Sequence, residues 1–186
     1  MSLATWQEIL ITAAVDGTAL TASTTPTSLL PAAAKYTLPA GFFRSPGQVI
    51  KVTAHGRVSN IITTPGTLAL DIRFGATAVM SGGTMALNIV AKTNVPWWLE
   101  ASGTVRAIGT TANLIWCAQW TSESVIGSAL PTVGGAGTHV LPFNTAPVVG
   151  ANFDSSASQV IDLFGTWSLN NANSITVHQF KVEALN

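Results

Sequence analysis

Hydrophobic and polar residues alternate along much of the chain with a period of two. The clearest case is 67–74, where alternate positions are apolar on one side and small or charged on the other: Leu68, Leu70, Ile72 and Phe74 against Ala69, Asp71 and Arg73. Such alternation is typical of a half-buried β-strand. Asp71 and Arg73 then share a face, and we expect them to pair with each other or with neighbours across the sheet.

Runs of similar character recur along the chain, at 48–59, 84–91, 97–109, 113–121, 159–169 and 174–185. Turn-forming sequences rich in Gly, Pro and Asn separate them, at 64–67, 82–83, 94–96, 109–111 and 170–173. The short run 8–15 fits either a strand or one helical turn, and no stretch shows a convincing amphipathic helix. The pattern predicts an all-β fold, a jelly-roll-like β-sandwich of about eight strands.

Two segments depart from the strand pattern. Residues 16–35 are low in complexity and rich in Ala, Thr and Ser, which favours an extended arm or surface loop that gains order from a partner. We therefore divide the chain into an N-terminal arm, 1–35, and a β-sandwich domain, 36–186. Residues 127–158 hold several Gly and Pro and form one very long connection, of the kind that usually contacts a partner or carries function.

Charged residues make up only 9% of the 186 residues, with eight basic and eight acidic side chains. An average soluble domain carries about 25%. Because a net charge near zero favours association, we expect a homo-oligomer, with a trimer as the first choice. The basic residues are spread along the chain and the isoelectric point is near 6.8, which argues against a nucleic-acid partner.

Membrane insertion and export are not indicated either. The uncharged stretches 17–34, 74–91 and 124–153 are each broken by Gly, Pro, Thr or Ser, and the first residues lack a basic region before an apolar run. Cys117 is the one cysteine, so no disulfide forms within the chain. It lies in the apolar run 114–118, which favours a buried structural thiol.

Catalytic chemistry is not supported by the residues present. The chain has no nucleophile-elbow or phosphate-loop motif, and His55, His139 and His178 share no metal-ligand spacing. Eight scattered acidic residues supply no pair that can be assigned as acid and base, and Asp154 has the setting of a turn residue. We therefore expect a non-enzymatic protein without a cofactor or a metal site.

Aromatic residues are the candidates for contact with a partner. Trp97 and Trp98 are adjacent, so on a strand one faces the core and the other the outer surface of the sheet. An exposed Trp suits a sugar-stacking platform or a protein interface, and the second is favoured because few side chains that grip hydroxyls flank it. The interface candidates are Trp97 and Trp98, with Phe143 and Phe153 from the long connection. Trp116 and Trp120 share a face and are expected in the core.

Several segments between positions 38 and 186 resemble a family of small virion proteins of tailed bacteriophages. These segments are Leu38-Pro39-Ala40-Gly41-Phe42-Phe43, Thr64-Pro65-Gly66-Thr67-Leu68, Asp71-Ile72-Arg73-Phe74-Gly75, Thr93-Asn94-Val95-Pro96-Trp97-Trp98-Leu99-Glu100, Phe153-Asp154-Ser155, Asp162-Leu163-Phe164 and the ending from Asn173-Ser174-Ile175 to Asn186. The resemblance implies a jelly-roll-like structural protein of the particle, assembled in the bacterial cytoplasm. It implies no catalytic or ligand residues.

Within a virion, two roles are compatible with the sequence. The first is a capsid decoration or cement protein that binds the major capsid protein on the outer surface and stabilises the shell. The alternative is a tail- or head-fibre-associated module that binds a receptor or carbohydrate through an exposed Trp97 or Trp98.

Overall fold

The computed structural model describes residues 6–127 and 137–185, and the strands account for most of them. The strands in chain order are β1 Gln7–Thr12, β2 Leu20–Thr21, β3 Thr27–Ser28, β4 Tyr36–Leu38, β5 Val49–Asn60, β6 Thr67–Phe74, β7 Thr77–Leu87, β8 Lys92–Ala107, β9 Asn113–Ser122, β10 Val125–Gly127, β11 Thr138–Leu141, β12 Gln159–Trp167 and β13 Ser174–Leu185. One short 3₁₀-helix spans Ala32–Ala34. The run 8–15, ambiguous in the sequence, is therefore a strand in its first part.

The strands form two antiparallel sheets. The large sheet has the order β1-β13-β5-β8-β9-β11, with β2 also paired to β13. The small sheet has the order β10-β7-β6-β12-β3, with β4 also paired to β12. The chain passes between the sheets after β2, β4, β5, β7, β9, β10, β11 and β12, so strands that follow one another in sequence are often in different sheets. The predicted all-β sandwich is confirmed, and eight of the described strands have six or more residues.

Alternation determines which side chains fill the space between the sheets. On β6 the predicted apolar face is buried and Asp71 and Arg73 lie on the other face, where their side chains approach to 3.4 Å. The guanidinium of Arg73 also lies over the ring of Phe164 on neighbouring β12, at 4.2 Å from its centroid. The predicted pairing of Asp71 with Arg73 is confirmed, and a cation–π contact supplements it.

The N-terminal segment differs from the predicted arm. In its described part, 6–35, β1 and β2 pair with β13, β3 pairs with β12, and Leu29 is fully buried in the core. Lys35 forms a 2.6 Å ion pair with buried Asp162 of β12. The segment packs onto its own sandwich because widely spaced leucines, Leu10, Leu20, Leu29 and Leu30, reach the core. The Ala, Thr and Ser content of the region obscures them.

The long connection is structured where it is described. After the predicted glycine-rich stretch, most of which lies outside the described residues, β11 pairs with β9. Val149 and Phe153 form isolated bridges to Ile115 and Ala112 at the edge of the same strand. Within 6–127 and 137–185, no helix is long and apolar enough to cross a membrane.

The sandwich has two distinct ends, defined by β5. At its first residue, Val49, lie the loop 39–48, the end of β13 and the start of β1; we call this the groove end. At its last residue, Asn60, lie the loops 61–66, 88–91 and 168–173; we call this the loop end. Buried amides hold the loop end together: Asn60 Nδ2 donates to the carbonyl of Asn88 at 2.6 Å, and Asn173 Nδ2 donates to that of Pro65 at 2.6 Å.

Candidate functional site

Trp97 and Trp98 point to opposite faces of the large sheet, as their adjacency on β8 requires. Trp97 is 2% exposed and stacks on Trp120 with ring centroids 4.9 Å apart. Its Nε1 donates to the carbonyls of Arg57 and Thr176, both at 3.2 Å. The space for this indole comes from Gly56, its partner across the β5–β8 ladder. Trp97 therefore belongs to the core and has almost no surface to offer a partner.

Trp98 is half-buried on the outer face of the large sheet. The register places it in the middle of a row that crosses five strands at right angles. This outer row consists of Gln179, His55, Trp98, Thr121 and Thr138. The rings of His55 and Trp98 are 6.0 Å apart, and the hydroxyls of Thr121 and Thr138 are 3.2 Å apart. A single indole is thus flanked on both sides by side chains that donate and accept hydrogen bonds.

The surroundings of the outer row are polar but nearly neutral. In the next row of the same face, Glu100 is paired with Lys51 at 2.7 Å. Lys181 is likewise paired, with Glu183 at 2.9 Å. These ion pairs cancel the charges in this row, while Arg57, exposed two residues from His55 on the same face, has no acidic partner among the described residues. The face therefore presents hydroxyl, amide and imidazole groups with one cation at their border.

A shallow depression of about 430 Å³ adjoins the outer row on the side of β1. Its polar lining comes from Thr12, Thr53, His55, Gln179 and Lys181. Because these side chains stand on β1, β5 and β13, their spacing is set by the sheet and requires no loop to close. The indole of Trp98 and the depression beside His55 together form a continuous surface suited to a flat, hydroxylated ligand.

The Nε1 atom of Trp98 is buried and has no hydrogen-bond partner among the described residues. Trp98 therefore offers its ring surface to a ligand, while hydrogen bonds come from its neighbours. Among these, His55 and Gln179 are exposed, and Thr121 is half-buried. The indole surface matches the apolar C–H face of a sugar ring, and the neighbouring hydroxyl, amide and imidazole groups match the hydroxyl groups around its rim.

The two phenylalanine candidates have different positions. Phe153 is 4% exposed and contacts Phe74 edge-on at 5.1 Å, within an aromatic cluster of the core. Phe143 is half-buried and lies edge-on to His139 at 5.6 Å. Phe153 thus offers little contact surface. Participation of Phe143 and Trp98 in an interface stays a prediction.

Histidine and carboxylate side chains meet in one pair in the described residues, His178 Nδ1 with Asp16 Oδ1 at 3.0 Å. No cluster of three or more His, Cys, Asp or Glu side chains is found in 6–127 and 137–185. Asp154 is the predicted turn residue: its Oδ1 accepts from the backbone and hydroxyl of Ser156, and these bonds lower its pKa. Cys117 is exposed, contrary to the buried thiol expected, because it alternates with inward-facing Trp116 and Ala118.

The partners of Trp98 could not be found in the sequence. His55, Thr121 and Gln179 are tens of residues away and meet only through the register of three ladders. A second surface was missed as well: a groove at the groove end, lined by Trp6, Arg44 and Gln48. The sequence feature that corresponds to this groove is the turn-rich segment 39–48, in which Pro39, Gly41, Pro46 and Gly47 surround two phenylalanines. Such a segment predicts a loop of fixed conformation but does not predict which residues lie opposite to it.

No protein-family model and no curated protein sequence matches the chain. Among solved structures, it shows a weak similarity to the CBM2 module of the evolved Dit protein of Lactobacillus casei BL23 phage J-1. The alignment covers 87% of this chain and 75% of that one, with 11% identity and a TM-score of 0.29. A TM-score this low carries no inference about the fold or the ligand of the present protein.

Proposed function

We propose that the protein is a non-catalytic component of a bacteriophage particle that binds carbohydrate, as a tail- or head-fibre-associated module. The phage context comes from the sequence resemblance. The observation that carries carbohydrate binding is the outer row, in which Trp98 lies between His55 and Thr121 on a flat sheet face.

Sugars present two kinds of surface, and the outer row offers a partner for each. The axial C–H groups of a pyranose are apolar and stack on aromatic rings, which Trp98 supplies. The equatorial hydroxyls need donors and acceptors in the plane of the ring, and His55, Gln179 and Thr121 supply both. A protein-protein hot spot would instead surround its Trp with apolar side chains that exclude water.

The rigidity of the face also favours a binding role. All members of the outer row stand on strands, so little conformational freedom is lost when a ligand is bound. Individual affinities of such shallow sites are modest, and several copies on one particle would raise the overall affinity through multivalency.

Binding to a panel of neutral bacterial surface oligosaccharides, followed by calorimetric titration, tests the proposal. Trp98→Ala is expected to weaken binding of a recognised neutral glycan by at least about tenfold. The comparison is with a nucleobase stacked on an aromatic side chain, a contact of similar area that contributes about 1–3 kcal/mol. Val160→Ala is the matched control, because Val160 is an exposed side chain on the other sheet. Equal losses in both variants, or unchanged affinity in Trp98→Ala, would contradict the proposal.

A capsid decoration or cement role is the second candidate, and one feature of the loop end favours it. Four aliphatic side chains are exposed there: Ile62, Ile89, Val90 and Leu169. The loops that carry the first two are joined by a 3.0 Å hydrogen bond from Thr63 N to the carbonyl of Ile89. Such a patch suits contact with the major capsid protein or with other subunits of a trimer. Cryo-electron microscopy of the particle distinguishes the roles by showing density on the capsid or on the tail.

A further inference from the structure

The groove end contains an open groove of about 890 Å³ that the outer row does not reach. One wall begins at Trp6, just before β1, where the indole is 45% exposed. The other wall is the loop 39–48, which contributes Pro39, Phe42 and Pro46. The lining is therefore a mixture of rigid ring surfaces and the polar side chains described next.

The loop wall is held in place by its own hydrogen bonds. Gln48 Oε1 accepts from the backbone N–H groups of Arg44 and Ser45, at 2.5 and 3.1 Å. Gly41 N donates to the carbonyl of Ser155, and Gly47 N donates to that of Val105, both at 2.9 Å. Since the backbone is tied at both ends of the loop, the groove exists before a ligand arrives, and binding does not have to order it.

Two opposite charges line the groove without pairing. Arg44 and Glu8 are both exposed, and neither forms an ion pair within the described residues. Elsewhere in that part of the chain, Lys35, Lys51, Arg73, Lys92 and Lys181 each have an acidic partner. Arg57 and Arg106 also lack an acidic partner in the described residues, but of these three arginines Arg44 is the one that lines the groove with the exposed indole of Trp6.

The geometry points to a second saccharide site in this groove, one that takes an acidic sugar. The inference builds on the proposed carbohydrate binding but uses a different surface. Arg44 would hold the anionic substituent, because a guanidinium bonds a carboxylate or a phosphate through two parallel N–H groups. Trp6 would stack on the ring, and Glu8 would accept hydrogen bonds from hydroxyl groups.

The charge arrangement favours a sugar over an acidic peptide. A peptide with several carboxylates would bring like charges toward Glu8 and would offer it few donors. A saccharide with one anion per residue places hydroxyl donors on the remaining ring positions, where a carboxylate acceptor is useful. The groove therefore discriminates by presenting one cation and one acceptor together with an exposed indole.

Nuclear magnetic resonance of the ¹⁵N-labelled full chain tests the site directly. The protein has six tryptophans and hence six indole N–H signals, and Trp6→Phe and Trp98→Phe identify the two that matter. The probes are trigalacturonic acid, its methyl ester, which has the same rings without the charge, and glucose 6-phosphate as the phosphate source. Signals of the buried tryptophans report whether each variant is folded.

Titration with trigalacturonic acid is expected to shift the Trp6 signal while leaving the Trp98 signal in place, and the ester is expected to bind about tenfold more weakly. Arg44→Ala should lower the affinity for the acid to that for the ester. Arg106→Ala is the matched control, since Arg106 is an exposed cation on β8 close to this end but not in the groove. A response to glucose 6-phosphate alone would identify phosphate as the recognised anion and support the site.

Three results would overturn the inference: an unmoved Trp6 signal with every probe, equal affinity for acid and ester when both bind, or equal losses of binding in Arg44→Ala and Arg106→Ala. These results are separable from failure of the proposed function. A neutral glycan that shifts the Trp98 signal supports the outer row whatever trigalacturonic acid does. A charge-dependent shift of the Trp6 signal supports the groove even when no neutral glycan moves the Trp98 signal.

Discussion

The six-membered ring of Trp116 lies directly over Gly103, its partner across the β8–β9 ladder. A Cβ at residue 103 would be only 2.6 Å from Cε2 of that ring. Glycine is required here because the large indole occupies the place of the missing side chain between the sheets. The same relation holds between Gly56 and Trp97, so two core tryptophans depend on glycines in neighbouring strands.

Gly103→Ala is therefore expected to destabilise the protein by about 1–3 kcal/mol, the usual cost of overpacking a core. The measurement is chemical denaturation monitored by tryptophan fluorescence. Ser102→Ala, at the adjacent exposed position of β8, serves as the control and should stay within about 0.5 kcal/mol of the parent. A Gly103→Ala variant as stable as the control would show that the ring can move aside.

The N-terminal segment offers a second test. Leu29 is fully buried, and its neighbour Ser28 donates to Asp162 at 2.8 Å. Leu29→Ala should cost about 2–5 kcal/mol, as for other fully buried leucines. Thr25→Ala, at an exposed position four residues earlier, should have almost no effect. If Leu29→Ala were neutral as well, the segment would behave as the independent arm that its composition suggested.

The stability of the protein should fall in acid partly through Glu183. Its side chain is 4% exposed, and the ion pair with Lys181, helped by a 2.6 Å hydrogen bond from Gln7 Nε2, holds its pKa below the ordinary value of a glutamate. A carboxyl with a lowered pKa stabilises the folded state above its unfolded pKa, and this contribution is lost as the pH falls through the folded one.

Denaturation midpoints measured from pH 7 to pH 3 should accordingly decline less steeply in Glu183→Gln than in the parent protein. At neutral pH the variant should be the less stable of the two, because it lacks the charged partner of Lys181. Glu8→Gln removes an exposed carboxylate without an ion pair in the described residues and should leave the decline unchanged.

Asn173 anchors the turn between β12 and β13. Its side chain is fully buried, where Oδ1 accepts from Ile61 N at 3.0 Å and Nδ2 donates to the Pro65 carbonyl. Asn173→Ala leaves the Ile61 N–H without its partner and removes the shorter of two amide bonds to the Pro65 carbonyl, which still accepts from Asn171 Nδ2 at 3.3 Å. The substitution should cost about 1–3 kcal/mol. Asn170→Ala, at an exposed position of the same turn, is the control, and thermal unfolding compares them.

Cys117 should react with a thiol reagent in the native protein. It is exposed on the outer face of β9, opposite Ser102 of β8. The labelling rate in the native protein is expected to be within a small factor of the rate in denaturant. A thiol protected from the reagent in the native protein would contradict its exposure and would support the buried position that the apolar run 114–118 suggests. The control is a Cys117→Ser variant, which should show no labelling.

The alternation of side chains made the faces of the long strands predictable, but not their neighbours. Leu68 to Phe74 and the opposite orientations of Trp97 and Trp98 follow from a local period of two. The prediction that Cys117 is buried was wrong because it followed the apolar character of the run 114–118. The period of two, which places Cys117 on the face opposite to Trp116 and Ala118, was the better guide. The pairing of His55 with Trp98 depends on register between distant strands, which no local pattern encodes.

Short elements were the other source of error. β2 and β3 have two residues each and contain Thr or Ser, so they show no period at all. Their place in the sheets is determined by single leucines and by Asp162, whose partners Ser28 and Lys35 are more than a hundred residues away. A pair contact of that kind cannot be read from either segment alone.

The position of β13 has a consequence for how the protein is made. β13 is the last strand along the described chain, yet in the large sheet it lies between β1 and β5, which are among the first to be synthesised. Until residues 174–185 have been translated, β1 has no strand to pair with and β5 is paired only on its β8 side. The other edge of β5 stays unpaired during that time. Folding of the large sheet is therefore completed only after translation of β13, with slow, long-range closure as its final step.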